Sequence, residues 1–379
     1  MRDSYSPPNG FEFQMSVSLN ERGTKIEDLD TPALLLDLDL LEQNIKVMSD
    51  FFRGKSARMR PHIKTHKSPT IAHKQLAAGA EGIACQKLSE AEVMVEAGIG
   101  DVFITNEVVG WSKVLRLAHL AHHSNVTVLV DDPENLNQLS KAAELEGVKI
   151  NAVVEVDVGM QRCGVQPGQP ALDLAKHVAR KPGLNFLGIL GYEGHCVLID
   201  DFEQKKKLCL EALSKNIDTK EFIEKSGLKV EKVCAGGTST YAITGIQPGI
   251  TEIHPGTYAT MDLKFKNMGM PFDCAVTLLT SVISNPAPGK FTLDGGLKAI
   301  SEEYGLPKPR LAKTKLVHLY EEHGLLELED GGQSLKRGDK VELIPTHGCT
   351  TINLHNQFHC VRKGYLESVW TISARGMFS

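Results

Sequence analysis

The segment Arg60–Lys67 is rich in basic side chains that could take part in chemistry. The segment alternates basic with apolar or small residues, a pattern typical of a β-strand, which would place His62, Lys64 and His66 on one face. Burying three basic groups is costly unless something anionic or chemical requires them. A lysine among cationic or apolar neighbours has a lowered pKa, and its neutral amine can form a Schiff base. An exposed strand end rich in basic residues is the alternative for this segment taken alone.

Composition narrows the class of protein. The chain has 379 residues, which is enough for two domains. Its formal net charge is −5, so it lacks the excess of basic residues that is typical of nucleic-acid-binding proteins. Residues 1–8 lack the apolar run of a secretory signal, and no later stretch is apolar for long enough to span a membrane. We therefore expect a cytoplasmic protein without nucleic-acid or membrane partners. The eight cysteines form no CxxC pair, so we expect them to be reduced.

The elements that must position these residues alternate regularly. Short β-like runs are followed by amphipathic helical stretches such as Ser89–Ala97 and Trp111–Ala121. Eight strands in such an alternation predict a closed (β/α)₈ barrel of the TIM type. A doubly wound open sheet is the alternative, but no GxGxxG turn follows the first strand. The eight runs are Met59–Lys64, Gly82–Gln86, Asp101–Thr105, Val126–Val130, Ile150–Val156, Leu184–Gly191, Val230–Ala235 and Thr251–Tyr258.

A second, all-β domain is predicted after about residue 265, where the helical periodicity disappears. Strand-like runs there are separated by Gly or Asn turns, of which Lys363-Gly364 is typical of a hairpin. The early run Leu34–Asp37 would be one strand too many for the barrel, so we expect it to join the β domain. The predicted domains are therefore a barrel over residues 38–265 and a β domain built from residues 1–37 and 266–379.

Two Gly/Ser/Thr clusters follow the last two predicted barrel strands, Cys234–Thr240 and His254–Tyr258. Glycine lets backbone N–H groups approach a phosphate, hydroxyls add donors, and loops at this place are the usual phosphate site of such barrels. Each cluster alone is more often a tight turn. Together with Lys64 at another strand end they favour a phosphorylated cofactor, pyridoxal phosphate.

His347 and Cys349 form a candidate metal site just after the predicted strand Val341–Ile344. In an extended chain, residues two apart point the same way. Imidazole and thiolate suit zinc, whereas a harder metal would prefer carboxylate. The alternative is a buried cysteine beside a histidine in a turn.

These motifs together resemble the alanine-racemase-like (fold type III) pyridoxal-phosphate enzymes, and within them the D-threonine aldolase and D-serine dehydratase group. The resemblance runs from about Asp30 to the end of the chain and covers both predicted domains. Its most specific pieces are Arg60–Lys67, Gln86–Ala91, Val154–Gly159, Arg162–Val165 and His347–Cys349.

The resemblance implies a role for each matching residue. Lys64 looks like the lysine that holds the cofactor, with His66 beside it; Arg162 is similar to the arginine that contacts the cofactor's phenolic oxygen, and Tyr192 to the tyrosine near its ring. His347 and Cys349 occupy the place of a divalent metal site, for Mn²⁺, Mg²⁺ or Zn²⁺, that faces the substrate. The positions of the phosphate loops are Gly236, Gly237, Thr238, Ser239, Gly256, Thr257 and Tyr258.

The implied activity is that of a metal-dependent lyase acting on small β-hydroxy-D-amino acids. For D-threonine a retro-aldol reaction would give glycine and an aldehyde, with His195 or a metal-bound hydroxide as the base. The alternative is dehydration of D-serine or 3-hydroxy-D-aspartate to a 2-oxo acid and ammonia, with Lys64 taking the Cα proton. Cys349 replaces the aspartate usual in bacterial aldolases and is closer to the dehydratase pattern, whereas Asn106–Gly110 looks more aldolase-like.

Two further alternatives use the same fold type. A non-catalytic protein that only binds pyridoxal phosphate would lack the β domain and the His-x-Cys pair. A racemase would need a second base opposite Lys64, for which no convincing match is found. The resemblance also implies a homodimer in which the β domain of one subunit lies near the site of the other.

Overall fold

The structure, a computed structural model, describes residues 22–379. The predictions that concern residues 1–21, including the first part of the β domain, lie outside the described residues. The described chain enters through strand β1 (Ala33–Asp37) and helix α1 (Leu38–Phe52). The Asp37 carboxylate caps α1 by accepting the N–H groups of Asp39 and Leu40, which fixes where the helix begins.

Eight parallel strands form the central sheet, and the predicted barrel architecture is confirmed. The spatial order is β2-β9-β8-β7-β6-β5-β4-β3. The two end strands meet because Ala84 N–H donates to Pro61 O (2.8 Å) and Ile63 N–H to Ala84 O (2.9 Å), which closes the barrel. The strands are β2 (Arg58–Met59), β3 (Ile83–Cys85), β4 (Asp101–Glu107), β5 (Asn125–Val130), β6 (Ile150–Glu155), β7 (Leu184–Leu190), β8 (Lys232–Ala235) and β9 (Glu252–Ile253).

Helices cover the outside of this sheet, each burying one apolar face. In α6, for example, Leu174, Ala175 and Val178 are buried at helical spacing. None of the helices between residues 22 and 379 is long and apolar enough to cross a membrane. The helices are α2 (Pro69–Ala77), α3 (Leu88–Glu96), α4 (Trp111–Leu120), α5 (Pro133–Glu146), α6 (Gln169–Arg180), α7 (Phe202–Lys225), α8 (Tyr241–Thr244) and α9 (Leu263–Asn267).

The prediction of a strand through Lys64 is wrong beyond Met59, where β2 ends. Residues 63–66 form a turn, which Lys67 N–H closes by donating to Ile63 O (2.7 Å). Pro61 O and His62 N–H still take part in the sheet, His62 by donating to Pro255 O (2.9 Å), so the chain leaves the sheet only at Ile63, where this turn begins. The basic side chains of this segment therefore do not share one strand face.

The β domain is a nine-stranded sheet organised around its longest strand, β10 (Val276–Ala287). β1 pairs antiparallel with β10, with Ala33 opposite Leu279, and so lies in this sheet. The remaining elements are β11 (Lys290–Leu293), β12 (Lys308–Pro309), β13 (Thr314–Leu319), β14 (Gly324–Leu328), β15 (Lys340–Ile344), α10 (Gly348–Ile352), β16 (Gln357–Arg362) and β17 (Tyr365–Thr371).

A charged network lies inside the barrel around Glu252, which is 1% exposed. Its carboxylate accepts from Arg60 Nε (2.9 Å), from His254 Nε2 (2.8 Å) and from the Lys232 ammonium. Arg60 also donates to Asp101 (2.5 Å). Burial alone would raise the pKa of Glu252, but Arg60 and His254 hold it well below its usual value. The network joins residues of β4, β8 and β9 to the segment that follows β2.

Replacing Arg60 by Met should destabilise the fold by about 3 kcal/mol, because it removes the closest guanidinium from a buried carboxylate. Arg58→Met is the matched control: Arg58 is exposed and 3.7 Å from Glu81, so its loss should cost less than about 0.5 kcal/mol. Urea unfolding followed by circular dichroism measures both. Equal losses would contradict the importance of the network.

Candidate active site

One cavity of about 170 Å³ lies at the carboxyl ends of the barrel strands, where the β domain covers them. This is the end of the barrel at which active sites of this architecture are found. The polar residues and glycines that line it are His62, Lys64, Gln86, Thr105, Glu155, Arg162, Tyr192, Gly236, Gly237, Thr238, Ser239, His254, Gly256, Thr257, Tyr304, His347 and Cys349.

Most residues that the sequence singles out meet in this cavity, from both domains. Three do not line it: His66, Tyr258 and His195. His66 and Tyr258 are fully buried behind the turn that carries Lys64, and both contact Gln75. His66 Nε2 is 3.2 Å from Gln75 Oε1, and Gln75 Nε2 donates to the Tyr258 hydroxyl (3.0 Å). These two residues therefore support the lysine turn from behind.

His195 lies in a short 3₁₀ helix, Gly194–Cys196, and its side chain is exposed. The ring lies against the glycine of a neighbouring loop: a Cβ added to Gly159 would be 3.3 Å from His195 Cε1. In this conformation His195 cannot exchange a proton directly with a group in the cavity.

Lys64 is half-buried, and its ammonium group has no hydrogen-bond or ion-pair partner among residues 22–379. Burial, helped by the positive charge of Arg162, lowers the pKa of Lys64 even though Cys349 acts in the opposite direction. A lowered pKa increases the fraction of neutral amine, which is the form that attacks a carbonyl group.

His62 lies under the lysine turn in the neutral form, because burial holds its pKa well below the usual value. Its Nδ1 accepts the Lys64 backbone N–H (3.3 Å) and its Nε2 donates to Thr105 Oγ1 (3.0 Å), whose hydroxyl donates to Cys85 O (3.2 Å). Both ring nitrogens are therefore engaged, so the ring positions Lys64 and is not available as a base. His62 stands in the predicted basic segment but is not among the predicted site residues.

The two glycine clusters form a pair of loops that are tied together, since Tyr258 N–H donates to Thr238 Oγ1 (3.1 Å). Within the described chain, the backbone N–H groups of Thr238, Ser239, Gly256 and Thr257 donate to no protein acceptor. Free N–H groups on adjacent glycine-containing loops are what a phosphate needs. A Cβ at Gly256 would approach His62 O to 2.9 Å, so the close contact with the lysine segment requires glycine.

Glu193, which the sequence analysis missed, holds the first of these loops. It is fully buried, and its carboxylate accepts Gly236 N–H (3.0 Å) and the hydroxyls of Thr240 (2.8 Å) and Thr244 (2.6 Å). The one sequence feature that could have pointed to Glu193 is its place next to Tyr192, just after β7. No local pattern shows that its carboxylate would reach the loop after β8.

His347 and Cys349 both line the cavity, but the extended geometry expected for them is wrong: Gly348 already begins α10. The imidazole hydrogen-bonds the Cys349 thiol, which lowers the pKa of the thiol despite its burial. Burial would lower the pKa of His347, but Cys349 and Glu303 raise it to about 9. The Thr65 hydroxyl lies 3.1 Å from the sulfur and connects this pair to the lysine turn.

Glu303 and Tyr304 fix the orientation of His347, and the sequence analysis missed both. His347 Nδ1 donates to Glu303 Oε2 (2.7 Å), and the Tyr304 ring stacks on the imidazole at 4.3 Å with an interplanar angle of 17°. Both lie more than 40 residues away in the chain, so no local spacing could reveal them.

Arg162 faces the cavity beside a carboxyl group that is largely neutral. Burial and the neighbouring Glu107 raise the pKa of Glu155 to about 9. Arg162 Nη2 is 3.8 Å from Glu155 Oε1, and its guanidinium lies 5.6 Å from the Tyr192 ring centre. Without a close charged partner in the described chain, the guanidinium can bind an anionic oxygen of a ligand.

The residues fit pyridoxal phosphate and a divalent cation in one cavity. Lys64 supplies an amine, the two loops supply unpaired N–H donors for a phosphate, and Arg162 with Tyr192 supplies a charged and aromatic wall. The imidazole and thiol of His347 and Cys349 form a borderline-to-soft donor pair, which suits Zn²⁺ better than Mg²⁺ or Mn²⁺.

The chain matches two family profiles: residues 36–264 match the alanine racemase N-terminal domain, and residues 275–361 match a serine dehydratase domain. It is 37% identical to a D-threonine aldolase of Arthrobacter sp., over 93% of this chain and 95% of that protein. It is 38% identical to a 3-hydroxy-D-aspartate aldolase of Paracoccus denitrificans (strain Pd 1222), over 93% and 94%. The crystal structure of D-threonine aldolase from Filomicrobium marinum superposes with a TM-score of 0.92 at 37% identity, covering 96% of this chain and all of that one.

Replacing Glu303 by Ala should weaken the affinity of the His347–Cys349 site for Zn²⁺ by about 10- to 100-fold, because the imidazole loses the carboxylate that orients it. Competition with a chromophoric chelator measures this affinity without any activity assay. Glu302→Ala is the matched control, since its exposed carboxylate neighbours Glu303 in the chain but does not contact His347. An equal effect of both changes would disprove the orienting role.

Proposed function

This chain belongs to the alanine racemase N-terminal domain family, and we propose that it is a metal-dependent pyridoxal-phosphate lyase that cleaves β-hydroxy-D-amino acids, with D-threonine as the first substrate to test. The reaction would be a retro-aldol cleavage to glycine and an aldehyde. The observation that supports this most is the single cavity shared by Lys64, the two phosphate loops and the His347–Cys349 pair. The D-threonine aldolase relatives support the same activity.

Each group would be held by residues already placed. Lys64 would attach pyridoxal phosphate, the loops at Gly236–Ser239 and Gly256–Thr257 would take its phosphate, and His347 with Cys349 would hold the cation. When bound, the cofactor supplies an electron sink for the bond that breaks, and the cation supplies a charge that lowers the pKa of the β-hydroxyl.

The chain's own residues then handle the proton and the orientation of the substrate. The β-hydroxyl proton must leave before the Cα–Cβ bond breaks. Both nitrogens of His62 are engaged, whereas Lys64 lines the cavity, so in this conformation Lys64 can accept the proton directly. His195 stays a prediction for this role, and it would require the Gly194–Cys196 turn to move.

Dehydration of D-serine or 3-hydroxy-D-aspartate is the second candidate. The cysteine of the His347–Cys349 pair and the serine dehydratase domain matched by residues 275–361 favour it. Lys64 would then take the Cα proton and the β-hydroxyl would leave, giving a 2-oxo acid and ammonia. The two reactions use the same cavity and differ in the bond that breaks.

We also propose that the chain forms a homodimer. Large apolar side chains are exposed at the same end of the barrel as the cavity, among them Val109 (61%) and Leu198 (42%) on loops and Phe202 (54%) at the start of α7. Exposed apolar groups concentrated in one region are typical of interaction surfaces. Sedimentation analysis, which measures the mass of the assembly in solution, tests this proposal. The cytoplasmic location of the protein stays a prediction.

The activity is tested by incubating the protein with D-threonine, pyridoxal phosphate and either Zn²⁺ or Mn²⁺, then identifying the products. Acetaldehyde and glycine in equal amounts are expected. Formation of 2-oxobutanoate and ammonia would show that the protein is a dehydratase and not an aldolase. If D-threonine, D-serine and 3-hydroxy-D-aspartate yield neither glycine with the corresponding aldehyde nor the corresponding 2-oxo acid with ammonia, the proposed function is overturned.

Lys64 should be the attachment site of the cofactor. Borohydride reduction of the protein with pyridoxal phosphate should label Lys64 and leave Lys67 unlabelled in peptide mass spectra, because the buried Lys67 ammonium is paired with Glu90. Lys64→Arg keeps the charge but cannot form the linkage, so it should lose the label and at least about 1,000-fold of the activity. Labelling of Lys67 instead would show that the assignment is wrong.

A further inference from the structure

A cluster of imidazoles lies on the outside of the barrel, remote from the cavity. His119 is in the last turn of α4, His122 and His123 follow it, and Glu146 is the last residue of α5. These helix ends precede the next strands and so lie at the opposite end of the barrel from the cavity. The catalytic chemistry proposed above does not use them.

The donor atoms of this cluster converge. His122 Nε2 lies 3.2 Å and His119 Nδ1 3.8 Å from the same oxygen, Glu146 Oε2. The three potential ligand atoms are all within 4.8 Å of one another. Around a tetrahedral Zn²⁺ with bonds of about 2.0–2.2 Å, neighbouring ligand atoms are roughly 3.4 Å apart, so small side-chain rotations would complete the geometry.

The charges around the cluster also suit a cation. The exposed Glu96 lines the same surface depression as His119 and Glu146. Arg116 is the nearby positive charge, and it is held by Glu92 through two hydrogen bonds of 2.8 and 2.6 Å. The ring of His123 lies 5.6 Å from that of His119, which gives a further imidazole at the edge of the cluster.

We propose that His119, His122 and Glu146 form a second metal site that binds a borderline divalent cation, with Zn²⁺ as the probe. Two imidazoles and one carboxylate are a ligand set that Zn²⁺ accepts, leaving a fourth position for water. Imidazole nitrogens disfavour Mg²⁺ and Ca²⁺, which prefer oxygen ligands. The bound cation would join the end of α4 to the end of α5 while leaving the cavity unobstructed.

The test compares bound Zn²⁺ per chain after equilibrium dialysis of the cofactor-loaded protein at micromolar free Zn²⁺. The double variant His119→Ala/His122→Ala should bind one equivalent less than the wild type, because the site at His347 and Cys349 is unchanged in both. His323→Ala is the matched control, an exposed histidine on a β-domain turn, and it should bind as much as the wild type. Equal binding by the double variant and the wild type would overturn the proposal.

A second measurement uses the wild-type protein and so does not depend on how a variant folds. Zn²⁺ should protect His119 and His122 from acylation by diethyl pyrocarbonate, read residue by residue in peptide mass spectra, while His323 reacts as before. Mg²⁺ at the same concentration should give no protection. Unchanged acylation of His119 and His122 in the presence of Zn²⁺ would overturn the proposal.

Discussion

The buried carboxylate of Glu252 imposes the constraint on which the barrel and its cavity both depend. An ionised carboxylate in the barrel interior is stable only if cations and donors surround it. Here they come from Arg60, Lys232 and His254. Arg60 stands four residues before Lys64, and His254 stands two residues before Gly256. The same charge cluster that links β4, β8 and β9 to the segment after β2 therefore sets where the amine and the second phosphate loop leave the barrel.

Burial then determines the protonation of the groups that face the ligand. It lowers the pKa of Lys64, which increases the fraction of neutral amine, and it holds the pKa of His62 well below the usual value, so this imidazole is neutral. It raises the pKa of Glu155 to about 9, so this carboxyl tends to be neutral as well. The exception is the Cys349 thiol, whose pKa is lowered through its contact with His347. A sulfur whose ionisation is favoured thus lies at the place proposed for the cation, in the same cavity as the Lys64 amine.

The sequence predicts those parts of this arrangement that depend on local spacing. The alternation of strands and helices predicts the barrel, and glycine clusters after the last strands predict the two tied loops. The strand expected through Lys64 fails because period-two alternation cannot show that a turn begins at Ile63. Spacing in the sequence could not reveal Glu193, Glu303 and Tyr304. Each contacts a partner that is distant in the chain and is brought near only by the fold. His195 has a suggestive position in the sequence, but the 3₁₀ turn carries its ring outside the cavity.

The distribution of the site over two domains makes their contacts part of the chemistry. Lys64 belongs to the barrel and the His347–Cys349 pair to the β domain, and two short contacts fix the distance between them. Thr65 Oγ1 lies 3.1 Å from Cys349 Sγ, and Gly348 N–H donates to the buried Asp262 (3.2 Å). Since Thr65 directly follows Lys64, any shift of the β domain moves the metal donors relative to the amine. Cleavage at Cα–Cβ and loss of the β-hydroxyl demand different placements of the same substrate atoms, so these contacts, more than the identity of the donors, should decide between the two reactions.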